Sequence, residues 1–332
     1  MGRNSHQLGF ADLTELPSPI QEILDQAFAH VKLAEFEKAF ASLSQAYRSG
    51  ERKAKPLIRD ERERLLYLAT RLPATYAALC RVLQAFRQVV GREISGSALD
   101  VGAGPGTFLL AAWATGCAMN QATLVEKDLG WRPWGEKLIR ALQPDLALNW
   151  RTEDIEKKSD LQMHDLVVLS YSLGELPAES RNKIVERCWE LAGRYLILVE
   201  PGTPDGFSRI REARSLLLEQ GAYLVAPCPH ALACPMPAND WCHFSARLQR
   251  TSLHRRIKGG DLGYEDEKYS YVVFSRDPLQ LPSGRIVHSP QRNKGHVRLQ
   301  VCREGRLDEA VYSKKQGELY RHACRLEWGD VN

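Results

Sequence analysis

Apolar residues recur at helical spacing through the first part of the chain. Ile20, Ile23, Leu24, Ala27, Phe28 and Val31 fall on one face of a helix, with Ser18 as its cap and Pro19 as its first residue. Phe36, Phe40, Leu43 and Tyr47 repeat the spacing. Residues 65–72 and 75–90 form two further helical patterns, separated near Pro73. From Ser97 the pattern changes. Short apolar runs at 98–101, 123–125, 166–169 and 195–199 alternate with helix-like segments at 107–114, 133–142, 180–191 and 208–220. Such alternation predicts a parallel sheet covered by helices on both faces. After Ala226 the chain is rich in Cys, Pro, His and basic residues, with strand-like runs at 269–275, 296–302 and 310–313. The expected organisation is a helical region over 1–95, an α/β domain over 96–225, and a cysteine-rich basic region over 226–332 that partly completes the sheet.

Composition narrows this picture. The 44% hydrophobic and 26% charged fractions are those of a globular protein long enough to bury a large core. No apolar run reaches the roughly 18 residues that span a bilayer, and Met-Gly-Arg-Asn-Ser-His is too polar for a secretion signal. The expected compartment is the cytoplasm of a bacterium, or the mitochondrial matrix in a eukaryote, with the cytoplasm preferred. The expected oligomeric state is a monomer. A net charge of +4 does not identify a nucleic-acid binder.

The clearest nucleotide signal is Asp100-Val101-Gly102-Ala103-Gly104-Pro105-Gly106-Thr107. A strand ends in glycines and a helix begins, so backbone can approach a ligand and the helix N-terminus favours anionic groups. Thr107 stands where a dinucleotide fingerprint needs glycine. An acidic residue two before Gly-x-Gly-x-Gly instead resembles the first motif of class I SAM-dependent methyltransferases. That resemblance implies a loop around the methionine moiety, formed by Asp100, Gly102, Gly104 and Gly106. Glu126, closing the next strand, is the candidate partner of the ribose hydroxyls, and Asp154 the candidate for the adenine amino group. In this fold the carboxyl ends of the strands line the ligand crevice, so a methyl acceptor is expected near Tyr171, Ser172 and Glu175, the candidate catalytic residues. An Asn-Pro-Pro-Tyr-type motif is absent.

Eight cysteines without a secretion signal point to reduced thiols. Cys80, Cys117 and Cys188 lie singly in apolar stretches and read as core. Cys228, Cys234 and Cys242 stand among prolines and histidines as Cys-x5-Cys-x7-Cys. Structural zinc sites usually pair their ligands as Cys-x2-4-Cys. Four thiolates suit an iron–sulfur cluster, and Cys302, ending a strand, is preferred over Cys324 as the fourth. His230 and His243 keep zinc as the alternative.

Residues 247–258 hold five basic residues and no acid, and residues 285–306 hold six and one. Phe244, Tyr264, Tyr269 and Tyr271 are interleaved with them. This combination predicts RNA contact through phosphates and stacking, with Arg255, Arg256 and Lys258 as the candidate phosphate contacts.

Several segments in order carry a wider resemblance: 72–78, the glycine loop, 170–176, 226–230, 240–244, 254–276 and Cys302. The chain resembles the methyltransferase-like assembly factors of the mitochondrial ribosomal small subunit and their bacterial relatives. The resemblance covers about three quarters of the chain. It implies a class I methyltransferase fold, a 4Fe–4S cluster on Cys228, Cys234, Cys242 and Cys302, and association with small-subunit rRNA and ribosomal proteins. Two functions follow from it. One is SAM-dependent methylation of rRNA. The other is a non-catalytic rRNA-binding assembly factor with a structural cluster or zinc site.

Overall fold

The structure is a computed structural model and describes residues 13–29, 31, 60–157, 160–258 and 262–331. The expected helix through Phe36 and Tyr47 lies outside the described residues. Labels below run over the described elements only.

Helix α1 (Ser18–Phe28) starts one residue earlier than expected. Pro17 occupies the cap position and no side chain caps the helix, so Ser18 is a helical residue and not the cap. Helix α2 (Glu61–Thr70) is capped by Asp60, which accepts from the Glu63 N–H. Helix α3 (Leu72–Val90) carries Pro73 in its first turn, where no intrahelical donor is lost. The break between α2 and α3 therefore falls at Arg71, and the α3 chain stops at Gly91 in a left-handed conformation.

An open sheet follows. Its strands are β1 (Ser95–Val101), β2 (Ala118–Val125), β3 (Ala147–Arg151), β4 (His164–Ser170), β5 (Ala192–Pro201), β6 (Tyr223–Ala226), β7 (Phe244–Gln249) and β8 (Tyr264–Ser275). Helices α4 (Thr107–Ala114), α5 (Trp131–Leu142), α6 (Ala178–Leu191) and α7 (Pro204–Glu219) connect β1 to β2, β2 to β3, β4 to β5 and β5 to β6. The spatial order is β3-β2-β1-β4-β5-β8-β6, with β7 also pairing β8. β1 to β5 are parallel, and β8 runs antiparallel to β5, β6 and β7. This doubly wound sheet, with one reversed strand between the fifth and sixth positions, is the class I methyltransferase fold.

Side chains alternate between two cores, as the pleat requires. Ala98, Leu124, Leu166, Val168, Ile197 and Val199 face one side with α3, α4 and α5. Leu99, Val101, Val167, Leu169, Leu196 and Leu198 face the other with α6 and α7. Burial on both faces explains why the central strands read as continuous apolar runs.

A short helix α8 (Ser252–Lys258) separates β7 from β8, and its Ile257 packs with Phe28, Leu66 and Ala69. After β8 a smaller sheet forms from β9 (Arg285–Ile286), β10 (Gln291–Asn293), β11 (His296–Arg303) and β12 (Arg306–Ser313). Ile286, Val297, Leu299 and Val301 join Ala323 of α9 (Glu318–Ala323) and Leu326 in a separate core. Among the described residues no helix is long and apolar enough to cross a membrane.

Candidate functional site

Two sites stand out, one at each side of the reversed strand. The first is the turn from β1 into α4. Gly102, Gly104 and Gly106 all take positive φ, at 70°, 53° and 75°. The Gly102 and Ala103 N–H groups donate to the Val125 carbonyl, holding the loop against β2. A methyl group on Gly102 would strike Ser172, and one on Gly106 would strike Ile139, whereas one on Gly104 meets nothing within 4 Å. Gly102 and Gly106 are required by packing, and Gly104 faces open space. Glu126 anchors the loop: Oε2 accepts from the Gly104 N–H at 3.0 Å and Oε1 from the Asp128 N–H at 2.9 Å. Burial raises its pKa against those two hydrogen bonds.

Asp100 lies beneath this loop, 1% exposed, and neither carboxylate oxygen has a hydrogen-bond partner in the protein. Burial, and then the Glu126 charge, push its pKa up to about 7. A buried carboxylate without donors is costly, so this position asks for a cationic or donating group. Asp154 sits in a turn after β3, where Oδ1 accepts from the Glu156 N–H at 3.1 Å.

The three candidate catalytic residues go to different surroundings. Ser172 packs on Gly102, and its hydroxyl donates to the Val101 carbonyl. Tyr171 has φ 58°, and its hydroxyl is buried without a partner. Burial and the Glu267 carboxylate hold that phenol well above its ordinary pKa. Glu175 is exposed at the end of a 3-10 turn. Near Tyr171 lies an ion pair that the sequence reading missed: Arg71 binds both Glu267 oxygens, at 3.3 and 3.0 Å. Glu200, at the end of β5, is likewise buried and held by Arg209 at 2.6 Å and the Leu173 N–H at 3.1 Å.

The second site is a cavity of about 40 Å³. Cys228, Cys234, Cys242 and Cys302 all line it, together with His230. Three come from the loops between β6 and β7, and Cys302 comes from β11 in the smaller sheet. The Cys302 thiol lies 3.4 Å from His230 Nε2. Burial raises the Cys242 pKa, and the nearby Cys228, Cys234 and Cys302 raise it further. Burial likewise pushes Cys302 up to about 12, with Cys228 and Cys234 adding to it. Cys324 is not among the lining residues. It packs on the core of the smaller sheet near Tyr320. His243 is drawn off into an aromatic stack with Trp241, and its Nδ1 is 3.0 Å from the Trp241 carbonyl. Among the described residues no three His, Cys, Asp or Glu side chains converge as a site for a metal ion.

The basic stretches differ from expectation. Arg285 is 1% exposed and cannot meet RNA. Arg247, Arg250, Arg292, Arg298, Arg303 and Arg306 each pair with a carboxylate. Phe244, Tyr269 and Tyr271 are buried against one another and offer no stacking surface. Tyr264 is covered by the Arg247 guanidinium at 4.2 Å. Sequence counts sign but not pairing, because the acids that neutralise these arginines sit on neighbouring strands and turns. Arg255 and Arg256 remain exposed on α8, and Lys258 ends the same helix.

The family model for the mitochondrial small ribosomal subunit protein Rsm22 matches residues 61–332, which include both sites. The chain belongs to the Rsm22 family. The human Ribosome assembly protein METTL17, mitochondrial, is 28% identical over 290 residues, covering 80% of this chain and 62% of that protein. The Rsm22-cox11 tandem protein 2, mitochondrial, of Schizosaccharomyces pombe is 28% identical and shares 80% of this chain and 42% of its own length. The chain thus spans about two fifths to three fifths of these Rsm22 relatives. Their names are mitochondrial, and they lend no support to the preferred cytoplasmic compartment. Among solved structures, magnesium protoporphyrin IX methyltransferase from Synechocystis PCC 6803 with bound SAH is 12% identical at a TM-score of 0.41, covering 78% of this chain and 100% of that one.

Proposed function

We propose that this Rsm22-family chain is a SAM-binding assembly factor of the small ribosomal subunit that carries a 4Fe–4S cluster on Cys228, Cys234, Cys242 and Cys302. The observation that carries it is the gathering of these four thiols, up to 74 positions apart in sequence, on one cavity. The donor set fits the cluster. A lone zinc ion draws its ligands to about 2.3 Å and so into mutual contact. A cluster gives each thiolate its own iron, and four thiols on one cavity supply the four ligands it needs. A cavity of about 40 Å³ also exceeds the space of a single water. When bound, the cluster would cross-link the two sheets through its ligands and supply a redox centre.

The SAM half of the proposal rests on the unpartnered Asp100 carboxylate and the open face of Gly104. SAM carries an ammonium that a buried carboxylate complements. Glu126 keeps lone pairs beyond those on Gly104 and Asp128, available to ribose hydroxyls. Asp154 is the proposed adenine contact. Arg255, Arg256 and Lys258 are the proposed rRNA phosphate contacts, and ribosomal proteins the further partners. The names of the relatives, ribosome assembly proteins, support this class of partner.

The non-catalytic reading is favoured over rRNA methylation by one observation. The Tyr171 hydroxyl is buried without a partner, and burial holds its pKa well above the ordinary phenol value, so it is not placed as a general base. Anaerobic purification with iron, sulfide and zinc analysis tests the cluster. Calorimetry with SAM, followed by methyl transfer to immature small subunits, tests the rest. SAM binding without turnover supports the assembly-factor reading. Turnover on rRNA overturns it in favour of the enzyme.

A further inference from the structure

Three arginines line the cysteine cavity, and two of them, Arg214 and Arg285, are buried with no acidic partner among the described residues. Arg285 is 1% exposed and Arg214 is 4% exposed. Backbone carbonyls hold each of them, and Arg214 also hydrogen-bonds the Cys228 side chain. Arg214 donates to His230 at 2.9 Å and Leu232 at 2.8 Å. Arg285 donates to Pro227 at 2.9 Å and Gly329 at 2.8 Å. On each side chain one nitrogen, Nε of Arg214 and Nη2 of Arg285, is buried with no acceptor. Arg285 also faces Cys302 across the β9–β11 ladder.

A guanidinium does not lose its proton inside a protein. Burying one without a counter-ion costs several kcal/mol, and two in one place repel each other. Carbonyl dipoles recover only part of that. The arrangement is stable only with negative charge in the cavity that both arginines face. Four thiolates carry more negative charge than the metal core they hold carries positive, so a liganded group here is anionic overall.

We propose that Arg214 and Arg285 are positioning residues that hold an anionic, thiolate-ligated metal group by balancing its charge. This rests on the cluster reading above and deepens it. The same two side chains grip the backbone beside Cys228 and Cys234, so charge balance and ligand placement are built from the same atoms. A second consequence follows for electron transfer: two fixed positive charges favour the reduced form of a cluster over the oxidised form.

The test compares Arg214→Met and Arg285→Met with Arg214→Lys and Arg285→Lys in the full chain, purified anaerobically. The measurements are iron and sulfide per chain, the rate of iron loss to a chelator, the midpoint potential, and melting before and after the metal is stripped. Each Met variant is expected to lose iron at least tenfold faster and to have a lower midpoint potential, with the Lys variants close to wild type. After stripping, the Met variants are expected to melt at or above the wild type, since an uncompensated buried charge is gone. Met and Lys variants that both keep wild-type iron loss and potential overturn the inference. So do Met variants that melt lower than wild type in both states, because that marks a backbone clamp alone. A wild type with neither iron nor zinc overturns the cluster reading and this inference together. A wild type with zinc alone overturns the cluster reading, and the chelator and melting comparisons then decide the arginine inference.

Discussion

The glycine-loop end of the sheet and the cysteine cavity are built in opposite ways. The glycine loop is local: Asp100 to Thr107 turn a strand into a helix within eight residues, and Glu126 reaches it from the next strand. Its geometry follows from glycine conformation and helix start. The cavity is assembled from afar, by loops after β6 and a strand of the smaller sheet. Among the described residues the loop leaves one carboxylate without a hydrogen-bond partner, and the cavity leaves two buried guanidinium groups without an acidic one. Each site therefore displays the charge opposite to the group it is proposed to take, a cationic methionine moiety in one and an anionic, thiolate-ligated metal group in the other. The difference teaches that a local site should lose its ligand when altered and keep the fold, whereas a site spanning two sheets should lose both.

The sharpest break of that comparison is at the cavity. Cys228→Ser, Cys234→Ser, Cys242→Ser and Cys302→Ser are each expected to release all the iron and to destabilise residues 226–331. Metal-site folding energies reach on the order of 10 kcal/mol, so soluble yield and melting temperature report it. Iron kept in Cys302→Ser but lost in Cys324→Ser would transfer the fourth ligand to Cys324.

At the loop, Gly104→Arg is expected to abolish SAM binding by calorimetry and leave the fold intact. A Cβ there meets nothing, and a positive φ costs a larger residue only about 1–2 kcal/mol. Wild-type affinity in that variant would move the SAM site elsewhere.

Asp100 gives a pH test. Its pKa is near 7 in the fold, against an ordinary carboxylate value in the unfolded chain. The native state holds the proton more tightly, so ligand-free stability falls as pH rises from about 4 to about 7 and is level above that. Asp100→Asn is expected to remove this slope and to raise stability at pH 8 by on the order of a few kcal/mol, read as a higher melting point. Added SAM should flatten the slope in the wild type. A ligand-free wild type as stable at pH 8 as at pH 4 would show that Asp100 is satisfied by other means.

A smaller effect is expected on the surface. Arg255→Ala, Arg256→Ala and Lys258→Ala together should weaken rRNA binding and reduce its salt slope by roughly 0.7–0.9 per lost phosphate contact. An unchanged slope places the RNA surface elsewhere. The smallest change is expected in Cys324→Ser, which should keep wild-type iron and lose no more than about 1 kcal/mol of packing.

Much of this molecule was legible in the residue pattern. The alternating runs mark the parallel strands because a strand buried on both faces is apolar throughout, and the glycines mark the loop because positive φ excludes other residues. The crowding of Cys228, Cys234 and Cys242 among prolines was visible because such a segment makes neither helix nor strand core. The basic stretches misled because net charge along a sequence ignores partners across a ladder. Arg247 with Asp266 and Arg298 with Glu309 are pairs set by strand register. Burial of Phe244, Tyr269 and Tyr271 was hidden for the same reason.

The sequence by itself determined the class of fold, the glycine loop and the identity of the thiols, because each depends on residue type at short spacing. Tertiary structure decided which distant groups share a cavity. It brought Cys302 and not Cys324 to the other three cysteines, joined Arg71 to Glu267, and buried Arg214 and Arg285 without acids. These are contacts between elements, set by the order in which strands add to a sheet and by the return of the chain through a second one. No local preference encodes that order, since the free energy that selects it comes from burying whole faces together.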